Sequence, residues 1–148
     1  MDTLNFKPTF LGQCIIKYQV PLDIFMSINQ IYEQNYNSLA PANGQLVGKI
    51  EKEHSLFYHG KDQTKMKNHN FLPKNVTDYF MQVFNHYLKF NAVQDYSTHL
   101  NSIWVNEMKQ HEYNPAHIHR GMLFTGLSSV MILKLPSTYG KEYSAGHI

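Results

Sequence analysis

The 148-residue chain has little of several things. Its one cysteine, Cys14, excludes an intramolecular disulfide and a cysteine-based zinc site. Its one arginine, Arg120, stands against twelve lysines. Charged residues are 16% and the net charge is +2 with histidine neutral, too small for electrostatic capture of nucleic acid. No apolar run approaches the roughly 18 residues of a membrane-spanning helix. There is no internal repeat and no low-complexity tract. Met1 is followed by Asp2 and a mixed stretch, so no signal segment is expected and a soluble, cytoplasmic protein is. What the chain does have is 43% hydrophobic and 14% aromatic residues, enough for a core in one compact domain. It also has nine histidines, whose spacing matters more than their number.

The first half reads as helical with one strand. Leu11 to Val20, LGQCIIKYQV, is apolar and β-prone, and Pro21 closes it. Leu22 to Tyr36 carries Ile24, Phe25, Ile28, Ile31 and Tyr32 at helical spacing, with Asp23 near the N-terminus. Ser38 to Gly48 has turn chemistry at Pro41 and Asn43-Gly44. Lys49 to His69 is weakly patterned and reads as an irregular region. After Pro73, Val76, Tyr79, Phe80, Val83, Phe84, Tyr87 and Leu88 form a second helical stripe, with Asn75 as the expected N-cap. These stripes are the expected core faces.

The period changes near Leu100. Ile103 to Asn106 reads as a strand continuing loosely to Tyr113, and Leu127 to Leu135, LSSVMILKL, as an apolar strand ended by Pro136. Helices followed by strands point to the α+β class. Between those strands lies His117-Ile118-His119, after Asn114-Pro115. Pro115 pushes Asn114 into extended geometry. On a strand, residues i and i+2 share a face about 6–7 Å apart, so both imidazoles can converge on one metal ion. Two surface histidines also fall two apart by chance in a chain with nine.

The stretch from Trp104 to Pro136 reads W-V-N, then Y-N-P-A-H-I-H, then G-L-S-S-V-M-I-L-K-L-P. It resembles the phage and marine-bacterial group of 2-oxoglutarate- and Fe(II)-dependent oxygenases, over residues 100–136. The resemblance implies a double-stranded β-helix, or jelly roll, with N-terminal helices packed on the sheet. Residues 1–148 then form a single domain: 1–99 are an N-terminal strand and helices, and 100–148 the first strands of the jelly roll. The distal histidine ligand and the arginine clamp of the wider superfamily belong to later strands, so the chain is expected to be an incomplete jelly roll. If phage-encoded, it would act in the host cytoplasm.

The same resemblance implies Fe(II) as cofactor and 2-oxoglutarate as co-substrate. His117 matches the first metal ligand. His119 stands where the wider superfamily has a carboxylate, though it matches this group's own His-x-His, and it leaves the site one negative charge short. Lys134 is the local candidate to clamp 2-oxoglutarate. Asn106 is a candidate hydrogen-bonder of substrate or co-substrate, and the Tyr113 hydroxyl a candidate contact to bound ligand. Arg120 reads as a rim residue, Trp104 as a core residue and Cys14 as a buried thiol. For a third ligand, His147 would need a return strand, His111 is out of register across Asn114-Pro115, and Glu107 and Glu112 have no spacing support. His54, His59, His69, His86 and His99 read as loop or surface residues. The substrate, small molecule or protein, is open, and exposed strand edges point to a homodimer. The alternatives are a non-catalytic phage structural or binding domain, and a cupin-like metal or sugar binder.

Overall fold

The computed structural model describes residues 4–11, 13–43, 48–58, 70–115, 126–137 and 139. The chain divides into two compact units, Met1–Ile118 and His119–Ile148. Among the described residues the architecture is α+β, with two helices and two separate two-stranded antiparallel sheets. No helix among them is long and apolar enough to cross a membrane.

The chain begins with a hairpin of β1 (Phe6–Leu11) and β2 (Gln13–Tyr18), paired from Phe6 opposite Tyr18 to Leu11 opposite Gln13. The single strand expected over Leu11 to Val20 accounts for β2 but misses β1. Pro8 argues against a strand there. It is tolerated because proline fits an edge strand, and a two-stranded sheet is all edge.

Helix α1 (Leu22–Asn35) starts after Pro21, whose carbonyl accepts from Phe25 N–H, and Asp23 lies in its first turn. Ile24 and Ile28 are buried, while Phe25, Ile31 and Tyr32 are half-buried. A 3₁₀ turn (Tyr36–Ser38) follows. Helix α2 (Lys74–Phe90) buries Val76, Tyr79 and Val83 and packs against α1. The expected Asn75 cap is not the one found. Pro73 is the N-cap, its carbonyl accepts from the Val76 and Thr77 N–H groups, and Asn75 falls inside the first turn. The helix ends with Ala92 left-handed at φ 55°, Ala92 N–H reaching Lys89 and Val93 N–H reaching Leu88.

The second sheet pairs β3 (Lys52–Tyr58) with β4 (Ser102–Glu107), from Lys52 opposite Glu107 to Tyr58 opposite Ser102, with an irregularity between Ser55 and Phe57. The irregular region expected from Lys49 therefore contains a strand. Its alternation is hidden because Glu53 and Ser55 are buried beside Leu56. Residues 59–69, with His59 and His69, lie outside the described residues. β4 ends at Glu107, and a turn precedes the isolated pairing of Tyr113 with Lys49. In the second unit, the strand expected over Leu127 to Leu135 pairs with nothing among the described residues, and a strand is defined by its partner. Its side chains alternate, Val130 and Ile132 exposed, Met131 and Leu133 half-buried.

Candidate functional site

Two places gather chemistry-bearing groups. The first leads to the His-x-His motif. After β4 the chain turns at Lys109–Glu112, where Glu112 N–H reaches the Lys109 carbonyl and His111 is left-handed at φ 68°. The Glu112 carboxylate accepts from two backbone N–H groups, Lys109 at 2.7 Å and Glu51 at 3.0 Å. Those two bonds hold its carboxyl below the usual carboxylate range. Lys109 also reaches the Glu51 carboxylate, an exposed ion pair of small energetic weight. Lys49 and Tyr113 then exchange both backbone hydrogen bonds, at 2.8 and 3.1 Å.

Gly48 lies beneath the next residues. A Cβ there would overlap the Tyr113 carbonyl oxygen and stand 2.8 Å from Asn114 Cα and 2.9 Å from Pro115 Cδ. Only glycine permits so close an approach. Asn114 Oδ1 is buried and has no hydrogen-bond partner among the described residues.

Of the sequence candidates, His117 and His119 lie outside the described residues, as do Arg120 and His147. Tyr113 is 57% exposed and held through its backbone. Asn106 is exposed on β4, opposite Glu53, and Trp104 is half-buried opposite Ser55, both on one strand face. Burial pushes the Glu53 carboxyl up. Lys134 is exposed and belongs to the second unit. Cys14 is a buried free thiol. Among the described residues no group of three or more histidine, cysteine and acidic side chains could hold a metal ion. The donor set of the motif itself, two neutral imidazoles, suits Fe(II).

The second place was not foreseen. Lys52 and His54, two apart on β3, share a face with Glu107 of β4, beneath Tyr32 and Tyr36. The Tyr32 hydroxyl donates to Glu107 Oε1 at 2.9 Å and lies 3.0 Å from His54 Nδ1. The Tyr36 hydroxyl donates to Glu107 Oε2 at 3.3 Å and accepts a short bond from Lys52 Nζ. Lys52 Nζ also stands 4.0 Å from Glu107 and 5.0 Å from the Tyr36 ring centre. Burial, then the bond to Glu107, drives the Tyr32 hydroxyl far above its ordinary value.

A phenol has one hydrogen. Tyr32 gives it to Glu107, so His54 Nδ1 must carry the hydrogen of the second bond. Nε2 is then the lone-pair nitrogen, the arrangement that lets an imidazole accept a proton or a metal ion. The i, i+4 spacing of Tyr32 and Tyr36 was the only sequence signal for this cluster. Set against protein-family models, curated proteins and solved structures, the chain matches none.

Proposed function

We propose that this protein is a 2-oxoglutarate- and Fe(II)-dependent oxygenase of jelly-roll fold, with His117 and His119 as metal ligands. The observation that carries the reading is the His-x-His pair two residues beyond an extended segment fastened at Tyr113 to Lys49 and crowded onto Gly48. The antiparallel β3–β4 pair, which contains Trp104 and Asn106, supports it as the kind of strand pairing such a fold uses. Alternation along an extended segment would aim both imidazoles to one side and Ile118 to the other.

When bound, Fe(II) would let O₂ oxidise 2-oxoglutarate and a substrate C–H bond together, one oxygen atom ending in succinate as CO₂ leaves and the other in the new hydroxyl. The chain's part is binding and orientation. The His117 and His119 imidazoles would hold the metal. The Lys134 ammonium offers the positive charge that a 2-oxoglutarate carboxylate needs. The Asn106 amide and Tyr113 hydroxyl offer neutral hydrogen bonds for orienting co-substrate or substrate.

The test is anaerobic titration of the chain with Fe(II), with and without 2-oxoglutarate, followed by visible absorption. The expected result is a weak charge-transfer band that needs both components and disappears in His117→Ala. A chain that binds no Fe(II) in either condition refutes the reading for these 148 residues.

A further inference from the structure

The polar cluster beneath α1 has the order of a proton chain. His54 Nδ1 holds its hydrogen toward the Tyr32 oxygen at 3.0 Å, and Tyr32 holds its own toward Glu107 Oε1 at 2.9 Å. The three residues lie on β3, α1 and β4, all in the first compact unit. A carboxylate that orders an imidazole through its Nδ1 hydrogen leaves Nε2 as the reactive nitrogen, and here a phenol stands between the two. Nε2, across the ring, has no hydrogen-bond partner among the described residues. The ring is half-buried, and the Lys52 and Glu107 side chains beside it are each 38% exposed, so the cluster opens to solvent. The Tyr32 and Tyr36 ring centres stand 5.8 and 5.0 Å from the imidazole centre, an aromatic wall beside a nucleophilic nitrogen. The charged and titratable groups of the cluster around His54 are Lys52 on its own strand, Tyr32, Tyr36 and Glu107.

We infer that His54 is a nucleophile that hydrolyses carboxylic esters with aryl leaving groups, with Tyr32 and Glu107 as the positioning residues that hold its tautomer. The Nε2 lone pair bonds to the acyl carbon, and the C–O bond breaks, its electron pair leaving with the aryl oxide. The acylated ring is an imidazolium until its Nδ1 hydrogen passes to Tyr32 as the Tyr32 hydrogen passes to Glu107. Tyr32 gives one hydrogen as it gains another, so it stays neutral, in keeping with an ionisation driven far above the ordinary value. Water then adds to the acyl carbon, the C–Nε2 bond breaks, the two hydrogens return along the chain, and the carboxylic acid and one proton leave. The inference is independent of the metal-binding reading, because it uses no metal and no residue of the His-x-His motif.

The experiment follows p-nitrophenyl acetate hydrolysis by the full chain across pH, with EDTA present to exclude metal-bound hydroxide. The reference is nine equivalents of N-acetylhistidine, one for each histidine of the chain. Wild type is compared with His54→Ala, Glu107→Gln and Tyr18→Phe, with far-UV circular dichroism as the check on folding. Tyr18→Phe removes the hydroxyl of the other phenol–imidazole pair and serves as the control for general loosening. The expected result is a wild-type rate about 10-fold or more above the reference, lost in His54→Ala and kept in Tyr18→Phe. Glu107→Gln should lower the rate and move the rising limb of the pH–rate profile to lower pH, because the imidazolium loses a neighbouring negative charge.

A wild-type rate no higher than the reference overturns the inference, as does a folded His54→Ala that keeps the wild-type rate. A folded Glu107→Gln with the wild-type rate and profile overturns the role given to the proton chain. Should His54→Ala fail to fold, diethyl pyrocarbonate labelling of the wild-type chain, mapped by peptide mass spectrometry, decides the question. His54 should then be carbethoxylated faster than His86 and His99, and equal rates at the three overturn the inference.

Discussion

Tyr32 and Tyr18 each bring a phenol hydroxyl to the Nδ1 of a histidine, His54 at 3.0 Å and His86 at 2.7 Å. The two regions surround that pair differently. Beneath α1, the hydroxyl lies between His54 and the Glu107 carboxylate, with Lys52 and Tyr36 completing a polar cluster. Between the hairpin and α2, the partners are apolar: the Phe6 ring stands edge-on to His86 at 4.6 Å and Phe90 stacks at 6.4 Å. A carboxylate can only accept, so it takes the Tyr32 hydrogen and obliges His54 to donate. Tyr18 has no such acceptor among the described residues, so nothing beside it obliges His86 Nδ1 to donate. In the same residue pair, a neighbouring carboxylate fixes the imidazole tautomer in one region and none does so in the other.

The sharpest way to break the comparison is to remove each hydroxyl. Tyr32→Phe deletes one bond to a charged acceptor and leaves His54 Nδ1–H without its partner. It should destabilise by about 2–3 kcal/mol in urea unfolding. Tyr18→Phe deletes one neutral bond in a largely aromatic setting and should cost about 1 kcal/mol. Long-range ¹⁵N–¹H spectra of the imidazoles at pH 8 should show hydrogen on Nδ1 in His54, a preference that Glu107→Gln should weaken while the His86 signals stay as in wild type. Equal costs, with a His54 tautomer that ignores Glu107→Gln, would remove the distinction.

Alkaline pH gives a smaller and graded effect. Burial pushes the Tyr18 hydroxyl up to about 12 and, aided by Glu107, raises that of Tyr32 further. An unfolded tyrosine titrates near 10. Above pH 10 the unfolded chain therefore loses protons that the native chain keeps, and the equilibrium shifts toward unfolding. The stability these two groups contribute is complete below about pH 10, and the Tyr18 share is lost as pH rises from about 10 to 12. Urea midpoints measured at pH 9, 10 and 11 should fall progressively. Each Phe variant should show a shallower fall than wild type, by a similar amount over this range. A fall unchanged in both variants would assign the alkaline transition to other groups.

Much of this arrangement could not be read from the sequence, for identifiable reasons. Both helices were legible because Ile24 and Ile28, and Val76, Tyr79 and Val83, repeat at helical spacing and are buried. The strand β3 was not, because its buried positions include Glu53 and Ser55, residue types that signal a surface. β1 was hidden by Pro8. The polar cluster depends on the β3–β4 register, which brings Glu107 to Tyr32 across 75 positions of sequence. No local pattern encodes that distance. The His-x-His pair is the reverse case. It is legible as a motif in residues 117–119, which lie outside the described residues, while the fastening ahead of it at Gly48 and Glu112 emerges only from the fold.

The smallest expected effect sharpens the comparison most finely. Tyr79 lies on the buried face of α2, 8% exposed, and its hydroxyl has no hydrogen-bond partner among the described residues. Burial raises its ionisation above the ordinary value, as for the other two tyrosines, so it stays neutral and buried. Tyr32 and Tyr18 lose a bond when the oxygen is removed. Tyr79 loses only an unsatisfied polar atom, while its ring keeps the T-shaped contact with Phe80 at 5.6 Å. Tyr79→Phe should therefore leave stability unchanged or raise it by up to about 1 kcal/mol, read as the shift in urea midpoint at pH 7. A loss of more than about 1 kcal/mol would mean that the hydroxyl bonds a residue outside the described set. Tyr79 would then join Tyr18 and Tyr32 as a tyrosine whose hydroxyl is bonded.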